Sequence, residues 1–413
     1  MFPFYDIFLS ILLGVVVLWL QPMFWLMVML VASQYYRMQQ NQLYMFGVIG
    51  RPWWRQTLLA AAYGTVGGLI GSLILIFVGV TINQLGFNYI WPLAIGLMLI
   101  HIRFLCFAYA GGLVALSNVL FGWPEVNVPQ VLALVAILHI TESILIAIST
   151  RYSAVPVILR HEGRIVGAFT LQNFWPLPII LAYAYAVPVP DIMAMTGVIA
   201  TPDWWPLLPV GEQLPPDTAW FHKLAPVVAA LGYSDMAVSS MPGIRRRRSA
   251  LHLFFYSATL LAVSLLSVRY SWLQLVAALL SPLGHEALIR LDNRQELQGR
   301  PRFVQQGGGL TVLDTVEGSV ARRMGLQPGD ILLRFGEIPL QGPYDLENAI
   351  AWSTLDFTLE WRRGEALLRQ RARFAGERRL GIILAPFGHE ENYIEVVQGS
   401  FGLFHWLKRL FRR

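Results

Sequence analysis

The chain has 413 residues, 55% of them hydrophobic and only 14% charged, with a mean hydropathy of +0.52 and a formal net charge of +6. A soluble globular chain carries nearer ~25% charged residues, so the composition argues against a soluble protein over most of the length. The basic clusters abut apolar runs, which fits membrane topology and argues against a nucleic-acid partner.

The first 150 residues carry only Asp6, Glu125, Glu142, Arg37, Arg51, Arg55 and Arg103 as charged side chains. Many of the 14 Trp lie beside Pro or at the ends of apolar runs, as in an interfacial aromatic belt. Cys106 is the single cysteine, so no internal disulfide is expected. The start, Met1-Phe2-Pro3-Phe4-Tyr5-Asp6, lacks a basic stretch and a small-residue cleavage site, so a retained membrane segment is expected there. A helix needs about 20 apolar residues to cross a bilayer. The expected spans are 4–20, 22–36, 57–80, 88–102, 104–122, 129–150, 250–268 and 271–289. The fold class is therefore an α-helical polytopic membrane domain of about eight spans, six of them within 1–150. Gln21-Pro22 reads as a tight hairpin between the first two.

Lys and Arg placement sets the expected orientation. Arg37, Arg51 and Arg55, then Arg103, then Arg151, Arg160 and Arg164, then Arg245-Arg246-Arg247-Arg248 all fall in loops read as cytoplasmic. The 81–88 turn and the 121–130 loop lack bases and read as external. Residues 151–249 are expected as a cytoplasmic or interfacial subdomain. Within it, 155–159 and 165–169 flank Glu162-Gly163 as a small β-hairpin. Residues 174–201, broken at Pro188 and Pro190, are expected as a re-entrant hairpin. Residues 225–231 are a short helix candidate. A final transmembrane hairpin covers 250–290, and both termini are expected in the cytoplasm of a multi-pass cell-membrane protein.

Residues 300–386 change character. Leu310 to Val316 alternate as a strand, and Glu317-Gly318-Ser319 is a turn. A short helical turn ends at Gly325, and Pro328-Gly329-Asp330 leads into Ile331-Leu332-Leu333. Asp345 to Trp352 reads as a helix, then two strands pair around Arg363-Gly364, and Leu380-Gly381-Ile382-Ile383-Leu384 closes the set. This order of pieces, with its Gly-Leu-x-x-Gly-Asp-Ile-Leu run, resembles the bacterial PDZ family and implies an α+β PDZ domain. In that family a peptide adds as a strand beside a sheet edge and a helix. The resemblance implies Leu380, Gly381 and Ile382 as the carboxylate loop, with Leu346 and Ile350 on the facing helix. Gly307, Gly308 and Gly309 are the rival loop.

The end of the chain, 399–413, places Trp406 and other apolar side chains on one helical face and Lys408, Arg409, Arg412 and Arg413 on the other. That is the pattern of an interfacial helix on anionic lipid. Zinc proteases of membranes use His-Glu-x-x-His, two imidazoles one turn apart with the Glu as base. His285-Glu286 is followed by Ile289 instead of a second His. No catalytic motif is complete, so no enzyme activity, cofactor or metal is expected. His139 and Glu142 within a span, and His285 and Glu286 near the end of another, remain intramembrane polar candidates.

Taken with Pro202-Asp203-Trp204-Trp205-Pro206-Leu207, Leu231-Gly232-Tyr233-Ser234-Asp235-Met236-Ala237, Arg247-Arg248-Ser249-Ala250 and Pro282-Leu283-Gly284-His285-Glu286, the whole resembles the MinJ-type cell-division topology proteins of Gram-positive bacteria. The resemblance implies a scaffold at septum and poles that bridges DivIVA to MinD. The alternatives are a degenerate or active site-2-type metalloprotease or its regulator, and a transporter-like protein with a PDZ sensor.

Overall fold

The computed structural model describes residues 1–149, 154–195, 198–211, 214–374 and 378–395, apart from the side chains of 193 and 194. The expected tail, with Trp406, Lys408, Arg409, Arg412 and Arg413, lies outside the described residues.

Eight helices stand where the eight apolar runs predict them: α1 (Phe4–Trp19), α2 (Pro22–Phe46), α3 (Trp53–Val78), α4 (Phe87–Ile100), α5 (Phe107–Phe121), α6 (Val128–Ile148), and later α8 (Pro242–Leu266) and α9 (Trp272–Leu297). Of these, α3, α6, α8 and α9 are each long and apolar enough to cross a membrane, and α1 with α2 makes a fifth candidate. At 14 and 15 residues, α4 and α5 fall short of a bilayer core about 30 Å thick. Gln21-Pro22 is not a hairpin. Gln21 is extended, Pro22 starts the next helix at once, and the two axes bend by 71°. One extended residue redirects a helix but does not reverse it.

The second departure is larger. β1 (Ala154–His161) and β2 (Arg164–Pro188) form the expected hairpin, turning at Glu162 and Gly163, both with positive φ. β2 then continues for 25 residues, reaches α7 (Val189–Ala194), and is paired by β3 (Thr218–Ala237) along its length, from Pro188 opposite Thr218 to Phe169 opposite Ala237. Residues 174–188, expected as the first half of a re-entrant hairpin over 174–201, are thus strand, and 225–231 are strand and not helix. β2 follows α3 from Gly64 beside Pro176 to the 81–88 turn beside Ala182. At the far end Leu208 and Pro209 accept hydrogen bonds from Gln130, and the Leu208 N–H donates to Val78. Residues 164–237 therefore run from one end of the helical bundle to the other and back. They are not a subdomain gathered at one end.

A strand among helices must satisfy its free edge without water. β2 does so residue by residue. The Phe174 N–H donates to the Tyr35 hydroxyl at 3.2 Å. Pro176 and Pro178 have no N–H to satisfy, and their carbonyls lie against Gly64 and Gly68 of α3. The Ile180 N–H donates to Ser72 Oγ at 2.8 Å, whose hydroxyl donates to the Gly68 carbonyl. The Ala182 carbonyl accepts from Ile82, and Ala184 is bound through both backbone groups by Asn83. Every second residue is dealt with, because alternate residues of a strand face the same edge.

Charged groups close the base of the hairpin. Arg245 and Arg246, two of the bases read as cytoplasmic, are each only 1% exposed. Arg245 pairs with Asp235 at 2.8 Å and donates to the Asp292 carbonyl, and Arg246 donates to the Ser149 carbonyl. One oxygen of Glu296 accepts from the N–H groups of Val238, Ser239 and Ser240, each at 2.7 Å.

A C-terminal β-rich unit follows: β4 (Leu310–Thr315), α10 (Val320–Arg323), β5 (Ile331–Phe335), β6 (Ile338–Pro339), α11 (Pro343–Trp352), β7 (Asp356–Arg363), β8 (Ala366–Arg373) and β9 (Ile382–Leu384). The strand order is β8-β7-β5-β4-β9, with β6 on β5. The unit is docked and not tethered. Phe303, Leu313, Ile383 and Ala385 join the apolar core of the helical domain. Arg51 and Arg55 each reach Glu317 at 3.1 Å, the Gly167 N–H donates to Phe303, and β10 (Ile394–Glu395) pairs parallel to β1.

The edge of β2 yields opposite predictions for one substitution. Gly68→Ala drives a Cβ into the Pro178 carbonyl and should cost at least the ~1–3 kcal/mol of an overpacked core. Gly96→Ala in α4 meets nothing within 4 Å and should stabilise by about 0.5–1 kcal/mol. Thermal unfolding in detergent checks both. Ser72→Ala strands the Ile180 N–H and should cost about 1–3 kcal/mol by the same measurement.

Candidate functional site

Two places collect the residues singled out from the sequence. The first is the margin of the β-rich unit. β9 is the last strand of its sheet and pairs with β4 through Ile382 opposite Thr315 and Ile383 opposite Asp314. Just before it, Gly381 has φ +72, and a Cβ there would collide with Ser319. The Leu380 and Gly381 carbonyls accept from the N–H groups of Ala321 and Val316, so the loop is pinned to α10 and the end of β4. Leu346 is buried and Ile350 partly buried on α11, in one apolar cluster with Leu380 and Ile382. Arg378, on the approach to the loop, donates to the Ala351 carbonyl at the end of α11. The rival residues Gly307, Gly308 and Gly309 sit elsewhere. Gly309 abuts Leu332 and Ile331 of β5, on the far side of β4 from β9.

The Gly-Asp step of the motif has a structural task. Asp330 is 1% exposed and receives both Nε and Nη2 of Arg363, at 2.8 and 2.7 Å, while also accepting the Gln327 N–H. This bidentate pair fixes the turn into β5 against β7.

The second place lies within the helices. His139 of α6 and His285 of α9, 3% and 9% exposed, face each other with ring centroids 5.1 Å apart. Cys106, which caps the N-terminus of α5, joins them. Its sulfur is 3.1 Å from Nε2 of His139 and 3.9 Å from Nε2 of His285. Nδ1 of His139 is held by the Val135 carbonyl at 2.7 Å. The rings of Tyr109 and Tyr256 pack edge-on against His285. His285 is thus enclosed by the bundle and not an interfacial residue. Glu286 is bound by Tyr109, Arg103 and Arg290. Glu142 lies one turn beyond His139 and is not part of the three-residue cluster. Sequence reading missed Cys106. Its one available signal was the rarity of a thiol in a chain with two intraspan imidazoles, since the three residues share no local spacing.

No protein-family model matches the chain, and no curated protein matches it.

Asp314, opposite Ile383 of β9, carries a pH prediction. Burial pushes its carboxyl from 3.8 up to about 6, against the lowering effect of the Thr315 N–H and the guanidinium groups of Arg322 and Arg51. The folded protein then holds this proton more tightly than the unfolded chain. Stability contributed here is greatest below pH ~4 and falls as pH rises through ~6. Asp314→Asn should therefore raise the unfolding temperature at pH 7 and lose that advantage near pH 4, read as the difference between the two melting profiles.

Proposed function

We propose that this protein is a polytopic membrane adaptor whose C-terminal β-rich unit is a PDZ domain that recruits partner proteins. The single observation that carries the reading is the juxtaposition at β9. An edge strand follows a glycine in left-handed conformation, with the apolar residues of α11 in the same cluster. A peptide that adds to such an edge gains main-chain hydrogen bonds from the strand and side-chain contacts from the helix. The guanidinium of Arg378 stands near the loop, which suits a terminal carboxylate.

The adaptor reading extends to orientation. The loops rich in Arg, around 51–55 and 160–164, come together at the end of the bundle where the β-rich unit docks. The 81–88 turn and the 122–128 loop gather at the other end, where they line a cavity of about 450 Å³ with Leu208 and Pro209. This separation supports a cytoplasmic PDZ domain under the positive-inside rule. In the MinJ-type reading the recruited partners are DivIVA and MinD at septum and poles, the protein acts without catalysis, and the basic tail adds a contact to anionic lipid.

Proximity labelling from a functional tagged copy tests recruitment. The comparison is between wild type and Ile350→Lys, which charges the helix beside β9 while leaving the docking contacts of Glu317 and Phe303 in place. Loss of a defined set of partners is expected in the variant. An identical partner list, from a variant inserted at the wild-type level, would sink the peptide-recruiting role.

A further inference from the structure

The three-residue cluster in the helical domain has a hydrogen-bonding problem that protein groups alone leave unsolved. A carbonyl only accepts, so Nδ1 of His139 must carry the proton it shares with Val135. In the neutral ring, Nε2 of His139 is then a lone pair aimed at the Cys106 sulfur. Nε2 of His285 approaches the same sulfur. One thiol has one proton and can serve only one of them. If His285 instead places its proton on Nε2, that proton can point at the sulfur, and its buried Nδ1 is without a hydrogen-bond partner in this tautomer as in the other.

We propose that Cys106, His139 and His285 bind one soft transition-metal ion of the zinc class, through Sγ and the two Nε2 atoms, with one coordination position left open. The ion satisfies the sulfur and both Nε2 atoms together, and it leaves Nδ1 of His285, which then carries the ring proton, without a protein partner. The chemistry fits, because thiolate and imidazole are the ligands that select zinc among the common divalent ions. The spacing fits as well. Bonds of about 2.3 Å to sulfur and 2.0–2.1 Å to nitrogen put tetrahedral ligand atoms roughly 3.3–3.7 Å apart. The sulfur-to-nitrogen separations are 3.1 and 3.9 Å, and all three ligand atoms lie within 4.8 Å of one another. The bond from Nδ1 of His139 to Val135 is the kind of outer contact that fixes a ligand's tautomer and ring orientation.

The ligands come from the start of α5, the middle of α6 and α9, so the ion would clasp three helices. They already pack through Ala108, Val135, Ala136, Ala277 and Ala278. Three protein ligands with one open position is the arrangement of sites that accept water or an outside ligand, and closed structural sites use four. The sequence expectation of no metal rested on a pair of ligands one turn apart in one helix. This site draws each ligand from a different segment.

The test uses the full chain in detergent or nanodiscs, without a polyhistidine tag, incubated with Zn2+ and desalted. About one zinc per chain should be retained. Cys106 is the only thiol in the sequence, so its alkylation by a maleimide reads the site directly. Zinc should slow alkylation at least ~10-fold, and a chelator should restore it. His139→Ala and His285→Ala should each lose this protection, while His161→Ala, a buried histidine outside the cluster, keeps it. Wild type that retains well under a stoichiometric amount of zinc would overturn the proposal, however the variants fold. Equal protection in His285→Ala and wild type would overturn the ligand assignment.

Discussion

The free edge of β2 is the constraint around which the helical domain is arranged. A strand inserted among apolar helices presents an N–H and a C=O every second residue, and each would be costly if left bare. The solution is distributed over distant parts of the chain. Tyr35 of α2, Ser72 of α3 and Asn83 of the following turn supply partners, and Pro176 and Pro178 remove two donors. Gly64 and Gly68 let α3 approach close enough for the two proline carbonyls to lie against its backbone. The position of α3 follows from these contacts. So does that of α6, whose Thr141 and Leu145 pack on Gly71 and Gly67 of the same helix.

Buried charge does for the base of the hairpin what backbone pairing does for its length. Arg245 ties the end of β3, through Asp235, to α9, through Asp292. Breaking one partner of such a buried pair leaves an uncompensated charge, which is why these groups hold elements together even where the pair itself adds little net stability. Glu296 gathers three successive N–H groups at the exit of β3. The same end of the bundle receives the β-rich unit, through Phe303 beside Gly167 and Glu317 between Arg51 and Arg55. The margin formed by β9 and α11 is thereby held at a set place relative to the helices. Leu313 and Ile383 belong both to the β4–β9 pair and to the helical core, so they join the two parts.

The limits of sequence reading here have identifiable causes. Helix positions were legible because apolar runs about 20 residues long are a strong signal. The pieces of the β-rich unit were legible from turn residues, and Gly325 ends its helical turn in the left-handed conformation expected there. The long part of β2 was not, because over 175–182 it is buried on both faces and apolar throughout, and such a strand cannot be told from a helix by periodicity. Pro176 and Pro178, two apart in that run, were the overlooked cue, since alternate prolines fit a strand edge and break a helix. The burial of Arg245 and Arg246 was not legible either. A run of bases before an apolar helix looks alike whether it faces water or buried acids.

By itself the sequence determined what is local: which runs are helical, where most of the turns fall, and which segment carries the order of strands seen in the β-rich unit. Those features depend on side-chain chemistry within a few residues. Only the tertiary structure decided that Cys106, His139 and His285 share one point, that Ser72 answers Ile180, and that Asp235 neutralises Arg245. The three residues of the cluster are 33 and 146 positions apart along the chain, and helix packing, which no local pattern encodes, is what brings them together.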